Sequence, residues 1–198
     1  MEFEVRNNLK GLGNYDTVAT LRSEFGDQCS IISIGPAGEV GSAMSTIAFS
    51  DLEGRPSRHA GRGGLGAVMG SKGIKAIVIN KPTNPIVEPQ DKVSYMDTVK
   101  KFSLEMHQTE KGLRDYGTAL LVNAINANGG LPTRNFSTGN NEKAEEISGE
   151  RLNELCKERK GRTGHSCSRG CAVRCSNVFN NAQGDYVTSG LEYETMLY

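Results

Sequence analysis

Hydrophobic and polar positions follow two different rhythms along this chain, one before residue 80 and one after residue 90. In the first stretch the apolar segments are short and end in glycine or proline. "SIISIG" (30–35) predicts a buried strand closed by Gly35-Pro36. "SAMSTIAFS" (42–50) and "IKAIVIN" (74–80) predict two further strands. Between them, "LEGRPSRHAGRGG" (52–64) reads as a basic, glycine-rich loop, and "GAVMGSKG" (66–73) as a short helix ending at Gly73.

The second rhythm is helical. "KPTNPIVEPQ" (81–90) has three prolines in ten residues and predicts a linker. After it, Val93, Met96, Val99, Phe102 and Met106 recur at three- and four-residue steps, with Asp91 placed to cap the helix. "GTALLVNAINANGG" (117–130) predicts a helix stopped by Asn128-Gly129-Gly130, and "LPTRNFSTGN" (131–140) a loop. "NEKAEEISGERLNELCKERK" (141–160) is mostly helical with a break near Ser148-Gly149, and its charges form a solvated face. The expected fold class is α+β: β-rich structure over the first 80 residues, then the linker, then an α-helical segment.

Composition narrows the classes. The formal net charge is zero, so the chain lacks the bulk cationic field of a nucleic-acid binder. No apolar run approaches the roughly 20 residues of a membrane span. Met1 leads into charged "EFEVRNNLK" where a secretory signal would be apolar, so a cytoplasmic protein is expected. Glycine is abundant, with 24 residues. That is about twice the usual share of roughly 7% and suggests backbone lying close to a bulky group.

The five cysteines do not form a disulfide framework, because the count is odd and three crowd into "CSRGCAVRC" (167–175). Cys29 and Cys156 fall in an apolar segment and a helix, and read as core residues. The spacing Cys167-x3-Cys171-x3-Cys175 suits a 4Fe–4S cluster, which takes four thiolates, the fourth coming from elsewhere. Gly170 lets the chain turn between ligands, and Arg169 and Arg174 set positive charge beside an anionic cluster. Two other readings stay open. One is a zinc site that adds His165 to the three cysteines, as part of a structural or interaction module, although structural zinc usually takes two separated ligand pairs. The other is three merely buried thiols. The spacing differs from the Cys-x3-Cys-x2-Cys of radical enzymes that cleave S-adenosylmethionine.

"HAGRGGLGAVMGSKG" (59–73) fails both common nucleotide motifs. A P-loop needs Gly-Lys-[Ser/Thr], whereas here the order is Gly70-Ser71-Lys72. A dinucleotide fingerprint needs an acidic residue about 20 positions on, and none lies between Gly66 and Asn80. The run still exposes successive backbone N–H groups, flanked by Arg55, Arg58 and Arg62, which suits a phosphorylated ligand. A tight turn with solvated arginines is the plainer alternative.

Taken in order, these segments resemble the aldehyde:ferredoxin oxidoreductase family of tungsten- or molybdenum-pterin enzymes. The resemblance rests on "AGRGGLGAVMGSKGIKAIVI" (60–79), "IGPAGE" (34–39), "YGTALLV" (116–122), "LPTRNFSTG" (131–139), "AEEISGE" (144–150), the cysteine segment and "EYET" (192–195). It implies that residues 1–85 are the later part of a β-rich base beneath a bis-pterin cofactor. It further implies that 86–198 begin the first helical domain, so that the fold is incomplete. Cys167, Cys171 and Cys175 match the clustered ligands of a 4Fe–4S cluster, with one extra residue in the first gap. Gly61, Arg62, Gly63, Gly64 and Gly66 match the loop near the pterin phosphates and their bridging Mg2+. Glu194, or its neighbour Glu192, matches a carboxylate near the metal that handles protons. A strand would put both glutamates on one face, and a helix would splay them by about 200°.

The implied reaction is oxidation of an aldehyde to a carboxylic acid, with electrons passed to ferredoxin or a partner iron–sulfur subunit. Family members are several times longer. Their Asp-x-x-Gly-Leu-[Asp/Cys] segments, one of which supplies the fourth cluster cysteine, have no counterpart here. The expectation is a fragment that is not competent alone and needs the remainder of the enzyme. A second copy of the chain is a further candidate partner.

Overall fold

The structure is a computed structural model and describes residues 2–80 and 87–190. The chain divides into two units, Met1–Ile86 and Val87–Tyr198.

The first unit is built on a four-stranded antiparallel sheet: β1 (Ser30–Ser33), β2 (Ile47–Phe49), β3 (Arg58–Ala60) and β4 (Ala76–Ile79), in the order β3-β2-β1-β4. Its register is set by Ile31 opposite Val78, Ile32 opposite Phe49 and Ala48 opposite His59. The predicted strand at 42–50 shrinks to 47–49, because Ser42–Ser45 close a turn (Ser45 N–H to Ser42 O, 3.0 Å). The loop expected over 52–64 contains β3. Its approach is shaped by buried Asp51, which accepts from the N–H groups of Glu53 and Arg55 and from the Ser57 hydroxyl at 2.8–2.9 Å.

The helix α1 (Asn14–Phe25) is absent from the sequence reading. Only Thr17, Val18 and Leu21 are buried on it, and its N-cap, Gly13, offers no side chain to mark the start. It covers β1 over a core of Leu9, Val18, Leu21, Cys29 and Ile31. Two short helices, α2 (Pro36–Glu39) and α3 (Leu65–Ser71), pack backbone to backbone. A Cβ on Gly70 would stand 2.0 Å from the Gly38 carbonyl oxygen, so only glycine allows that approach. Glu39, at the end of α2, pairs with Lys75 and accepts the Gly11 N–H at 2.9 Å, tying three chain segments together.

The second unit begins with α4 (Lys92–Thr109). Asp91 caps it as the sequence predicts, its carboxylate accepting from Ser94 N–H at 3.0 Å. The apolar face is formed, yet no residue of α4 is buried. There follow α5 (Lys111–Tyr116), a 3-10 turn (Gly117–Leu120) and α6 (Leu121–Ala127). A second 3-10 turn (Ala144–Ile147) leads to α7 (Gly149–Glu158). The break at Ser148 is a helix start: its hydroxyl accepts from Arg151 N–H at 3.2 Å. These elements close on Ala119, Val122, Leu131, Ala144, Leu152 and Cys156.

An antiparallel sheet ends the described chain, with β5 (Arg162–His165), β6 (Ser176–Asn180) and β7 (Tyr186–Ser189) in that order. The expectation of an all-helical second segment omitted it. Gly164 interrupts the pattern of β5, and β6 is buried through Ser176, Asn177 and Asn180, so apolar alternation is weak in both. Among the described residues no helix is long and apolar enough to cross a membrane.

Candidate functional site

Two loops carry the sequence-predicted site residues, one in each unit. In the first unit, β3 leads into the turn 61–64, and α3 starts at Leu65. The five matched residues divide by what their surroundings demand. Gly66 is buried, and a Cβ there would lie 2.7 Å from both the Ser45 hydroxyl and the Thr46 carbonyl oxygen. Gly64 is left-handed (φ 64°) and approaches the Ala43 carbonyl at 2.7 Å on the same construction. These two glycines are required by the chain's own packing.

Gly61 and Gly63 are different. Both are exposed, as is Arg62 between them. A Cβ on Gly63 would meet nothing within 4 Å, and one on Gly61 only the Thr46 methyl at 4.0 Å. Gly63 has φ 83°, which accounts for its identity. Gly61 has neither a positive φ nor a close neighbour in this fold. Its open side is a place where another group can approach the backbone. Beside it, His59 Nδ1 lies 2.7 Å from the Thr46 hydroxyl, and burial of the imidazole pushes its pKa below 6.5 against a hydrogen bond with Pro56.

In the second unit, the loop 166–175 joins β5 to β6, whose last pairing is His165 opposite Ser176. All three clustered cysteines lie on this one loop. Gly170 (φ 79°) and Arg174 (φ 56°) make its turns. The Arg174 N–H donates to Cys171 Sγ at 3.5 Å, a contact of the kind that stabilises negative charge on a sulfur. Cys167 is exposed, and Cys171 and Cys175 are half-buried. His165, the fourth member of the zinc reading, is buried in β5. Among the described residues no three His, Cys, Asp or Glu side chains are gathered around one point that would hold a metal ion. The loop thus offers the donor chemistry of an iron–sulfur ligand set, three thiols and an amide aimed at sulfur, on an open hairpin.

The two remaining cysteines are core residues. Cys29 donates to Gly26 O at 3.1 Å, and Cys156 to Val178 O at 3.5 Å. Burial pushes the Cys156 thiol above its ordinary pKa, away from thiolate character. Glu192 and Glu194 lie outside the described residues.

Two of the segments that carry the resemblance take backbone conformations that their sequence did not announce. "LPTRNFSTG" closes into a narrow loop, with Thr133 and Thr138 exchanging N–H to carbonyl bonds at 3.0 and 3.3 Å. Its tip places Arg134, Asn135 and Phe136 in succession at φ 49°, 55° and 63°, each costing about 1–2 kcal/mol for a side chain with a Cβ. Gly117, in "YGTALLV", has φ 64° and ψ −163°, a conformation essentially confined to glycine, and lies against the Cys175 carbonyl.

Family matches extend over both the unit with the glycine turn and the unit with the cysteine hairpin. The sequence model for the N-terminal domain of aldehyde ferredoxin oxidoreductase matches residues 1–81, and that for its domains 2 and 3 matches residues 95–198. The chain belongs to the aldehyde ferredoxin oxidoreductase family. Among its relatives are the tungsten-containing aldehyde ferredoxin oxidoreductases of Pyrococcus furiosus (38% identical over 99% of this chain and 31% of the relative) and Pyrococcus horikoshii (37% over 97% and 30%). That of Pyrococcus abyssi is 42% identical over 75% of this chain and 24% of its own length. The chain therefore spans about a third or less of the length of the relatives it matches. Among solved structures, the active site complex BamBC of benzoyl coenzyme A reductase shares the fold, with a TM-score of 0.56 at 21% identity over 92% of this chain and 28% of that one.

Proposed function

We propose that this chain is part of a tungsten- or molybdenum-pterin, 4Fe–4S oxidoreductase that converts aldehydes to carboxylic acids and passes electrons to ferredoxin or a partner iron–sulfur protein. The observation that carries the reading is the family match through both units, which takes in the glycine turn and the cysteine hairpin. When bound, such groups supply two-electron oxidation at the metal and single-electron transfer through the cluster.

The chain's own residues would do the following. Cys167, Cys171 and Cys175 would supply three thiolates, with the Arg174 amide tempering the charge on Cys171 Sγ. Gly61, with no intramolecular reason to be glycine, would let a phosphate of the pterin and its Mg2+ approach the backbone between Arg62 and the β3 edge. Gly63, Gly64 and Gly66 would hold the turn in that shape. Glu194 or Glu192 would take up the proton released during aldehyde oxidation. The domain assignment follows: residues 1–85 as pterin base, and 86–198 as the start of the covering domain.

The test is anaerobic reconstitution with ferrous iron and sulfide. Wild-type chain is expected to develop a broad absorbance near about 400 nm from thiolate-bound iron. Cys167→Ala should lose it while keeping its melting temperature, whereas Cys156→Ala should keep it and melt lower. A colourless product that retains tight zinc would overturn the reading in favour of a structural metal module. The loaded chain alone is expected not to oxidise aldehydes, since three clustered thiols leave a four-thiolate cluster incomplete and the other two cysteines are engaged in the core.

A further inference from the structure

We infer that Gly117 is a positioning residue for Cys175, and that the segment 114–117 clamps both legs of the cysteine hairpin from one side. This rests on the cluster reading above and extends it to residues outside the ligand set.

Both legs of the hairpin meet the same short segment. On the incoming leg, Gly164 in β5 is left-handed (φ 68°), and a Cβ there would stand 3.0 Å from Arg114 Cγ. The β5–β6 register shifts between Arg162 and His165, so this contact sits at the irregular point of the ladder. On the outgoing leg, a Cβ on Gly117 would stand 3.0 Å from the Cys175 carbonyl oxygen and 3.4 Å from the Asn177 side-chain nitrogen. Asn177 is fully buried in β6, so it has no room to retreat.

The clamp is itself braced. Arg114 holds the end of α4, its guanidinium donating to His107 O at 2.8 Å. Asn153, buried on α7, donates to Asp115 O at 2.6 Å and reaches the Thr163 hydroxyl at 3.2 Å, joining α5 to β5. Behind Gly117, Gly149 presses on Tyr116 and Leu120, where a Cβ would come within 2.7–2.8 Å. The two segments "YGTALLV" and "AEEISGE" are thereby one stack that ends on the Cys175 backbone. Any side chain at 117 must shift Cys175 by a few tenths of an ångström or leave the backbone conformation at φ 64° and ψ −163°, which is essentially confined to glycine.

The test uses the full chain reconstituted anaerobically with ferrous iron and sulfide, with Gly129→Ala as the matched control. Gly129 also has a positive φ (69°), but its Cβ would meet only the Asn140 side chain at 3.7 Å. Gly117→Ala is expected to weaken iron uptake by about tenfold, the usual effect of disturbing what orients a metal ligand. It should also change the shape of the iron–thiolate spectrum, while Gly129→Ala matches wild type in both. Arg114→Ala removes the contact with Gly164 without altering a glycine conformation and keeps the test open if Gly117→Ala fails to fold; it should change the iron–thiolate spectrum in the same sense. Wild-type uptake and spectrum in a folded Gly117→Ala or in Arg114→Ala, or equal loss in Gly129→Ala, overturns the inference and leaves the cluster reading standing. Failure of the wild-type chain to take up iron overturns both.

Discussion

Single residues here owe their identity to quite different neighbours, and Glu39 shows how much one carboxylate can join. Burial alone would raise its pKa, but the hydrogen bonds from Lys75 and the Gly11 N–H, with the charges of Lys75 and Lys10, hold it below 4.5. A carboxylate depressed in the fold stabilises above its unfolded pKa, and that stability is lost as pH falls through the folded value. The first unit should therefore weaken on acidification below about pH 4.5. Glu39→Gln should lower its stability at pH 7 by about 2 kcal/mol and flatten this acid dependence, as read by denaturant unfolding across pH 3–7. An unchanged acid slope in the variant would show that another group carries it. The same logic marks two of the cysteines as structural: Cys29 and Cys156 spend their S–H groups on backbone carbonyls.

Among the elements, the glycine-rich stretch is two devices in one run. Its helical half, through Gly66 and Gly70, brings α3 against α2 and the β2 approach. Its turn, through Gly61 and Gly63, faces open space. Gly70→Ala should destabilise the first unit by about 1–3 kcal/mol, because the methyl has backbone rather than side chain to push against. Gly61→Ala should leave the melting temperature within experimental error, and thermal denaturation of the pair separates a glycine held by packing from one that faces open space. The sequence displayed the run but not this division, since the partner of Gly70 is a carbonyl 32 positions away. Helix starts were more legible: Asp91 and Ser148 act on amides three residues along, so their roles are local. The sheet β5–β7 was not legible, because buried Ser176, Asn177 and Asn180 give its central strand a polar appearance.

For the whole molecule, the apolar face of α4 matters most. Tyr95, Met96, Val99, Phe102 and Met106 fall within one arc of about 120° at 100° per residue. Met96 and Phe102 are 57% and 56% exposed, and no residue of the helix is buried. An exposed stripe of this size promotes self-association. Replacing both residues by lysine should reduce dye binding to apolar surface and light scattering, with stability changed by no more than about 0.5 kcal/mol, as for other surface positions. A large loss of stability would mean that the stripe packs against the described fold in solution.

The amino-acid sequence by itself determined what depends on short range and on order along the chain. That includes the cap at Asp91, the interruption at Ser148, the helix stop after Ala127, the strands at 30–33 and 76–79, and the sequence of segments that marks the family. Tertiary structure alone decided which glycines are held by packing, which carbonyls the Cys29 and Cys156 thiols meet, and that Gly117 lies on Cys175. Those facts depend on atoms brought together from distant positions, and close packing, unlike capping or periodicity, leaves no local pattern to read.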